Sequence, residues 1–199
     1  MIKLSRGEKP EELTNDVCEE LKKLYAEDKD RDVWNSSKIK EPLKKAMLEM
    51  SHGKCSYCEC KLGIESKDVT IDHFLPKSEN PDEVVEWENL FPACLRCNRK
   101  KNKREERIVN PCVDEPKEYL GVTSVNRYRL KGIDTQGIGK NTIEVIGLND
   151  IERVMVPRMT EWEALKVHLE EIEEDLKEEG YKNKYRNRLQ KIMENCLFD

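Results

Sequence analysis

No stretch of this 199-residue chain approaches the roughly 20 consecutive apolar residues that a helix needs to cross a bilayer. Met1 to Pro10 lacks the apolar run of a signal peptide, so the expected location is the cytoplasm, with no membrane partner. There is no internal repeat, and the charges lie on periodic segments instead of low-complexity tracts. No motif of a sequence-reading DNA-binding domain occurs. Excess positive charge is also missing: the net charge is −5, so a nucleic-acid partner has to be argued from where the charges lie.

The chain is 39% charged and 37% hydrophobic, with a mean hydropathy of −0.84. That describes a folded, surface-rich protein with a modest core. Its charges are segregated. Arg96 to Arg107 holds seven bases against two acids, Glu161 to Glu179 nine acids against two lysines, and Tyr181 to Lys191 five bases and no acid. Separate surfaces for separate partners are one reading; solvated helix faces are the other, and the better one for the acidic run.

Leu13, Val17, Leu21 and Leu24 recur at helical spacing, with Glu11 and Glu12 suited to the helix start. Pro42 opens a second helix through Leu43, Ala46, Met47 and Met50, which Gly53 closes. Val69 and Ile71 alternate with polar residues as a short strand does, and Pro76, Ser78, Asn80 and Pro81 mark a loop. A further strand is expected around Val122 to Leu130. Thr142 to Ile146 is β-branched yet framed by Gly147 and Asn149 as a short helix. Thr160 and Glu163 form a capping-box pattern ahead of Trp162, Leu165, Leu169, Ile172 and Leu176. Gly180 ends that helix, and Tyr185, Leu189, Ile192 and Cys196 mark a partner antiparallel to it.

In a cytoplasmic chain disulfides are disfavoured, and paired cysteines bind metal or do redox work. Cys55-x-x-Cys58 and Cys94-x-x-Cys97 are two knuckles whose four thiolates suit tetrahedral structural zinc. Because the pairs lie far apart, the ion staples two distant segments. The βαβ setting of a thioredoxin-like site is absent. Cys60 is surplus to a four-ligand site, and Cys18, Cys112 and Cys196 are isolated.

Between the knuckles, a strand delivers Asp72 and His73 side by side before Pro76 stops it. Adjacent strand residues point to opposite faces, so the two converge only if the strand ends or bends there. His52 and His168 have no such company. Next comes Trp87-Glu88-Asn89-Leu90-Phe91-Pro92-Ala93-Cys94-Leu95-Arg96-Cys97-Asn98-Arg99-Lys100-Lys101.

The order Asp-His, Asn-Leu and Cys-x-x-Cys-Asn-x-x-Lys resembles the HNH endonucleases across about fifty residues. The resemblance implies two antiparallel strands and a helix gripping one divalent cation. It implies His73 as general base, Asn89 as the residue that orients it, and Asp72 and Asn98 as ligands of a catalytic Mg²⁺ or Mn²⁺. Asn98 stands where many members have a histidine. Gly53 to Glu59, Ile71 to Lys77, Asn110-Pro111 and Thr142 to Asn149 are similar to a narrower branch. There the HNH protein is the nuclease half of Septu-type anti-phage systems, and its partner is an ABC-type ATPase. Many members of that branch carry Glu where Asp72 stands.

The expected fold class is α+β: a small zinc-stapled ββα-metal finger at residues 54–104, between an N-terminal helical segment (1–53) and a mainly helical C-terminal extension (105–199). Arg96, Arg99, Lys100, Lys101, Lys103 and Arg104 surround the helix bearing Asn98 and suit the phosphate backbone of a nucleic acid, DNA before RNA. The expected activity is phosphodiester hydrolysis. The competing readings are a stand-alone restriction-type nuclease and a non-catalytic zinc-knuckle nucleic-acid-binding module. The stripes Leu13 to Leu24 and Trp162 to Leu176 must each bury an apolar side, against the finger or against a partner.

Overall fold

A computed structural model describes residues 1–35, 39–64, 69–102, 106–124 and 128–178. The expected strand pairs with a second one: β1 (Thr70–His73) lies antiparallel to β2 (Leu90–Ala93), with His73 opposite Leu90 and Thr70 opposite Ala93. The chain then enters α3 (Leu95–Lys101), which completes a ββα unit. Before it come α1 (Asn15–Glu27) and α2 (Lys40–Met50). After it come α4 (Pro116–Tyr119), the hairpin β3 (Leu120–Val122) and β4 (Leu130–Gly132), α5 (Ile138–Ile146) and α6 (Val156–Glu178). The architecture is α+β, as expected.

Local chemistry moves several boundaries. α1 starts at Asn15, not at the glutamates, because the Thr14 side chain accepts from the Val17 N–H. After α2 the Gly53 N–H reaches back to the Leu48 carbonyl at 2.7 Å, with His52 and Gly53 both at positive φ. Thr142 to Ile146 is helical: the Thr142 hydroxyl donates to Ile138 O and accepts from Val109 N, both at 2.8 Å, which satisfies a fully buried polar group. Of the strand expected around Val122 to Leu130, Val122 is the last residue of β3 and Leu130 the first of β4, the two being paired with each other, and residues 125–127 lie outside the described residues. The capping box at Thr160 is not formed. A π-helical turn at Ile151–Met155 runs straight into α6 at Val156, and Thr160 sits inside the helix, donating to Val156 O at 3.0 Å. The expected helix marked by Tyr185 and Cys196, and the stop at Gly180, lie outside the described residues. No helix among the described residues is long and apolar enough to cross a membrane.

Two apolar clusters meet at β2. Leu90 and Phe91 join Leu13, just ahead of α1, Leu21 of α1, and Leu43 and Met47 of α2; Ala93 joins Tyr57, Leu120, Ile146 and Leu148 in the second cluster. The Leu13 to Leu24 stripe is therefore used internally. The α6 stripe differs: Trp162, Leu165 and Leu169 are half-buried and Ile172 is exposed.

Arg6 fastens the N-terminal segment to the finger. Its guanidinium donates to the carbonyls of Trp87 (3.0 Å), Glu88 (2.9 Å) and Leu90 (2.7 Å) and lies 4.3 Å from the centre of the Phe91 ring. Burial lowers its pKa from the usual arginine value. A lysine has all its donors on one nitrogen, so it can neither reach these carbonyls from two nitrogens nor lay a planar group on the Phe91 ring. Arg6→Lys should lower the unfolding free energy by about 1–3 kcal/mol, because part-buried carbonyls lose their donors. Urea denaturation at constant zinc checks this.

Candidate active site

The first knuckle is a tight turn closed by its own backbone: Cys55 N–H donates to Cys60 O at 2.9 Å, and Glu59 N–H to Cys55 O at 3.0 Å, with Glu59 at φ +66°. Cys60 thus closes the loop through its carbonyl. The second knuckle is the start of α3, where Cys94 is the N-cap and its sulfur accepts from Cys97 N–H at 3.5 Å. The ligand atoms of Cys55, Cys58, Cys94 and Cys97 all lie within 4.8 Å of one another. Cys58 and Cys94 sulfurs are 3.8 Å apart. A tetrahedron with Zn–S of about 2.3 Å sets its sulfurs about 3.8 Å apart, so the donor set fits zinc. Among themselves the four sulfurs share protons: hydrogen bonding to Cys55 lowers Cys58 and Cys94, while burial raises Cys55 and hydrogen bonding to Cys55 raises Cys97.

On the α3 side of β1 lie Thr70 and Asp72. Asn98 donates from Nδ2 to Thr70 Oγ1 (3.0 Å) and to Ile71 O (3.4 Å), while the Thr70 hydroxyl donates to Ala93 O at 2.8 Å. Both partners can only accept from Asn98, so its nitrogen is fixed toward β1 and its oxygen is left as an acceptor. Asp72 is 4% exposed. Its Oδ2 accepts from the Tyr57 hydroxyl and lies 3.2 Å from Lys101 Nζ; Oδ1 is 3.4 Å from that ammonium. Burial raises the Asp72 pKa, and Lys101 opposes the rise.

His73 leaves the strand toward another set of neighbours. Its Nε2 lies 2.9 Å from Val84 O, and its ring centroid is 6.3 Å from that of Trp34. Since a carbonyl only accepts, the neutral ring carries its proton on Nε2 and presents a lone pair on Nδ1. Burial pushes its pKa down to about 4, which keeps the ring neutral. Asn89 does not bond to the imidazole. Its side chain accepts from Leu75 N (2.7 Å) and donates to Leu75 O (3.1 Å) and Glu83 O (3.0 Å). It therefore clamps the loop that ends at Val84, and reaches His73 only through that loop's carbonyl.

The basic run divides by helical direction. Arg96 points at the end of α5 and donates to the carbonyls of Ile146 (3.2 Å) and Gly147 (3.3 Å), as a cation at a helix C-terminus should. Lys101 is turned inward, 3% exposed, and donates to His73 O at 2.6 Å. As a phosphate contact it is corrected: its ammonium is already held by Asp72 and a carbonyl. Arg99 and Lys100 are exposed, Lys100 lying 3.9 Å from Asp150. Lys103 and Arg104 lie outside the described residues. Tyr57 and Lys101 were not among the catalytic candidates. Signals for both exist: Tyr57 lies between the two cysteines of the first knuckle, and Lys101 lies three residues after Asn98, on one helix face.

Two strands and a helix with Asp-His on the first strand and Asn on the helix define the ββα-metal class, and residues 55–104 match the HNH endonuclease family. The chain carries an HNH endonuclease domain. It is also 41% identical over 162 residues to Septu protein PtuB of Bacillus thuringiensis, an alignment covering 80% of this chain and 59% of the relative. A second Septu protein PtuB, from Bacillus mycoides (strain KBAB4), is 27% identical over 142 residues, covering 55% of this chain and 47% of the relative. The chain thus spans roughly half of the curated relatives it matches. The resemblance read from the motifs is borne out, and so is the α+β finger with its cysteine cluster.

Replacing Cys94 leaves three sulfurs, those of Cys55 and Cys97 buried and that of Cys58 part-buried, without a fourth partner. Cys94→Ser should release zinc and unfold the finger together. Elemental analysis should fall from one zinc per chain, and far-UV circular dichroism should report the unfolding.

Proposed function

We propose that this protein is a metal-dependent endonuclease that hydrolyses DNA phosphodiester bonds, and that it serves as the nuclease subunit of a bacterial anti-phage complex with an ABC-type ATPase. The observation that carries the chemical part is the direction of three acceptors: His73 Nδ1 and Asn98 Oδ1 remain for other work once the remaining polar atoms of these side chains are bonded, and Asp72 Oδ1 carries only the 3.4 Å contact to Lys101 while Oδ2 is the more heavily bonded oxygen. Similarity to two Septu proteins supports the defence setting. The four cysteines suit a structural zinc, since four sulfurs leave it no open position.

Phosphodiester hydrolysis needs an activated water and neutralised phosphate charge. His73, neutral at physiological pH, takes the water proton at Nδ1, a role typically worth about 10²–10⁴-fold. Asp72 and Asn98 would hold a catalytic Mg²⁺ or Mn²⁺ through one carboxylate and one amide oxygen, a sparse donor set that suits a hard cation keeping its waters. When bound, that cation supplies charge neutralisation at the phosphate and the leaving oxygen. Asp72 and His73 alternate across β1, so they reach one phosphate only at the strand's end, and His73 is that end. Arg99 and Lys100 are the exposed members of the basic run that suit backbone phosphates. The exposed acidic residues of α6 are the proposed dock for the ATPase.

His73→Ala should abolish cleavage with zinc content and circular dichroism unchanged; wild-type cleavage by that variant would end this reading. Asp72→Ala and Asn98→Ala should raise the Mg²⁺ or Mn²⁺ concentration needed for cleavage.

Arg99→Glu/Lys100→Glu should weaken binding about equally for unrelated sequences and reduce the log–log salt slope by roughly 2. Loss confined to one sequence would mean that these side chains read bases.

Charge reversal at Glu170, Glu171 and Glu174 should weaken a complex with the ATPase in gel filtration at constant zinc. An unchanged complex would move the dock off this face, and no complex at all would favour a stand-alone nuclease.

A further inference from the structure

We propose that Tyr57 and Lys101 are positioning residues for Asp72, and that through them the zinc site sets the carboxylate that faces the catalytic cation. The proposal rests on the nuclease reading of Asp72. Tyr57 lies inside the first knuckle, flanked by Cys55 and Cys58, and is fully buried. Its ring would pack equally well as phenylalanine, but its hydroxyl donates to Asp72 Oδ2. Lys101 lies four residues after Cys97 on α3, one turn along the same helix face, and approaches the same oxygen at 3.2 Å.

The two arms that grip Asp72 therefore start from the two segments that carry the cysteine ligands, while β1 itself contributes no cysteine. Lys101 also donates to the carbonyl of His73, the next residue, at 2.6 Å. One ammonium thus registers both the carboxylate and the backbone of the proposed base against α3. The division of labour within the carboxylate follows. Oδ2 carries the Tyr57 hydroxyl and the closer Lys101 contact and is the anchor; Oδ1, with a single contact at 3.4 Å, is the oxygen left for a cation. Groups that orient a ligand from behind typically change metal affinity by about 10–100-fold when removed.

The test uses the full-length, zinc-loaded chain with Mn²⁺ as probe, its binding read directly by electron paramagnetic resonance and its effect by the Mn²⁺ dependence of cleavage. Tyr57→Phe should keep one zinc per chain and wild-type circular dichroism. It should weaken Mn²⁺ binding by about tenfold or more and shift the half-saturating Mn²⁺ for cleavage by the same factor, with most of kcat restored at saturation. Lys101→Arg, which keeps the charge but moves the donors, should shift Mn²⁺ binding in the same direction. Wild-type Mn²⁺ binding in a zinc-replete Tyr57→Phe would overturn the proposal while leaving the nuclease reading intact. Zinc loss in Tyr57→Phe would overturn it in favour of a purely structural hydroxyl. A wild-type chain that shows these Mn²⁺ shifts in its variants but cleaves no nucleic acid would support the positioning role and end the nuclease reading.

Discussion

Thiolates repel one another, and four of them within 4.8 Å are stable together only around a cation. That constraint organises the finger. One knuckle is a backbone-closed turn and the other is the first turn of α3, so a zinc between them would fix the helix against a segment almost forty residues earlier in sequence. The pair β1–β2 has only four residues per strand, too little to hold register alone. The clustered cysteines, Arg6 and the packing of α1 and α2 together supply what the small sheet lacks.

Around that frame, hydrogen-bond satisfaction decides what each polar side chain can still do. Asn89 has its amide oxygen and both amide hydrogens engaged and is therefore a clamp. Asn98 has only its nitrogen engaged, by acceptors that fix which way the amide faces. His73 has its tautomer set by a carbonyl. Two asparagines in one short motif thus take different parts because one faces a loop and the other a strand edge.

The same logic sorts the basic run. On a helix with 3.6 residues per turn, positions 96 and 100 share one face, and positions 98 and 101 another. The first pair meets the end of α5 and its following turn, and the second meets β1. Arg99 faces solvent. On α3, bases that look uniform as a string of charges are one helix cap, one buried counter-ion and a smaller exposed patch.

Spacing within a few residues of covalent chain determined a good deal by itself. Two-residue spacers bring both sulfurs of a knuckle to one ion, and alternation followed by proline makes a short strand. The order Asp-His, Asn, Cys-Asn marked the finger before any contact was known. Tertiary structure alone decided the rest. Arg6 meets carbonyls more than eighty residues away, and no local pattern announces that. The inward turn of Lys101 depends on Asp72, twenty-nine residues earlier and across the finger, and the Leu13 to Leu24 stripe is buried in a cluster that also takes in α2, Val84 and Val85, and the start of β2. Helical turns already run from Ile151 to Met155 into α6, so the Thr160 to Glu163 pattern falls inside a helix and caps nothing. Periodicity shows that a side chain has an apolar or charged face to place; which surface receives it is settled only when distant segments pack.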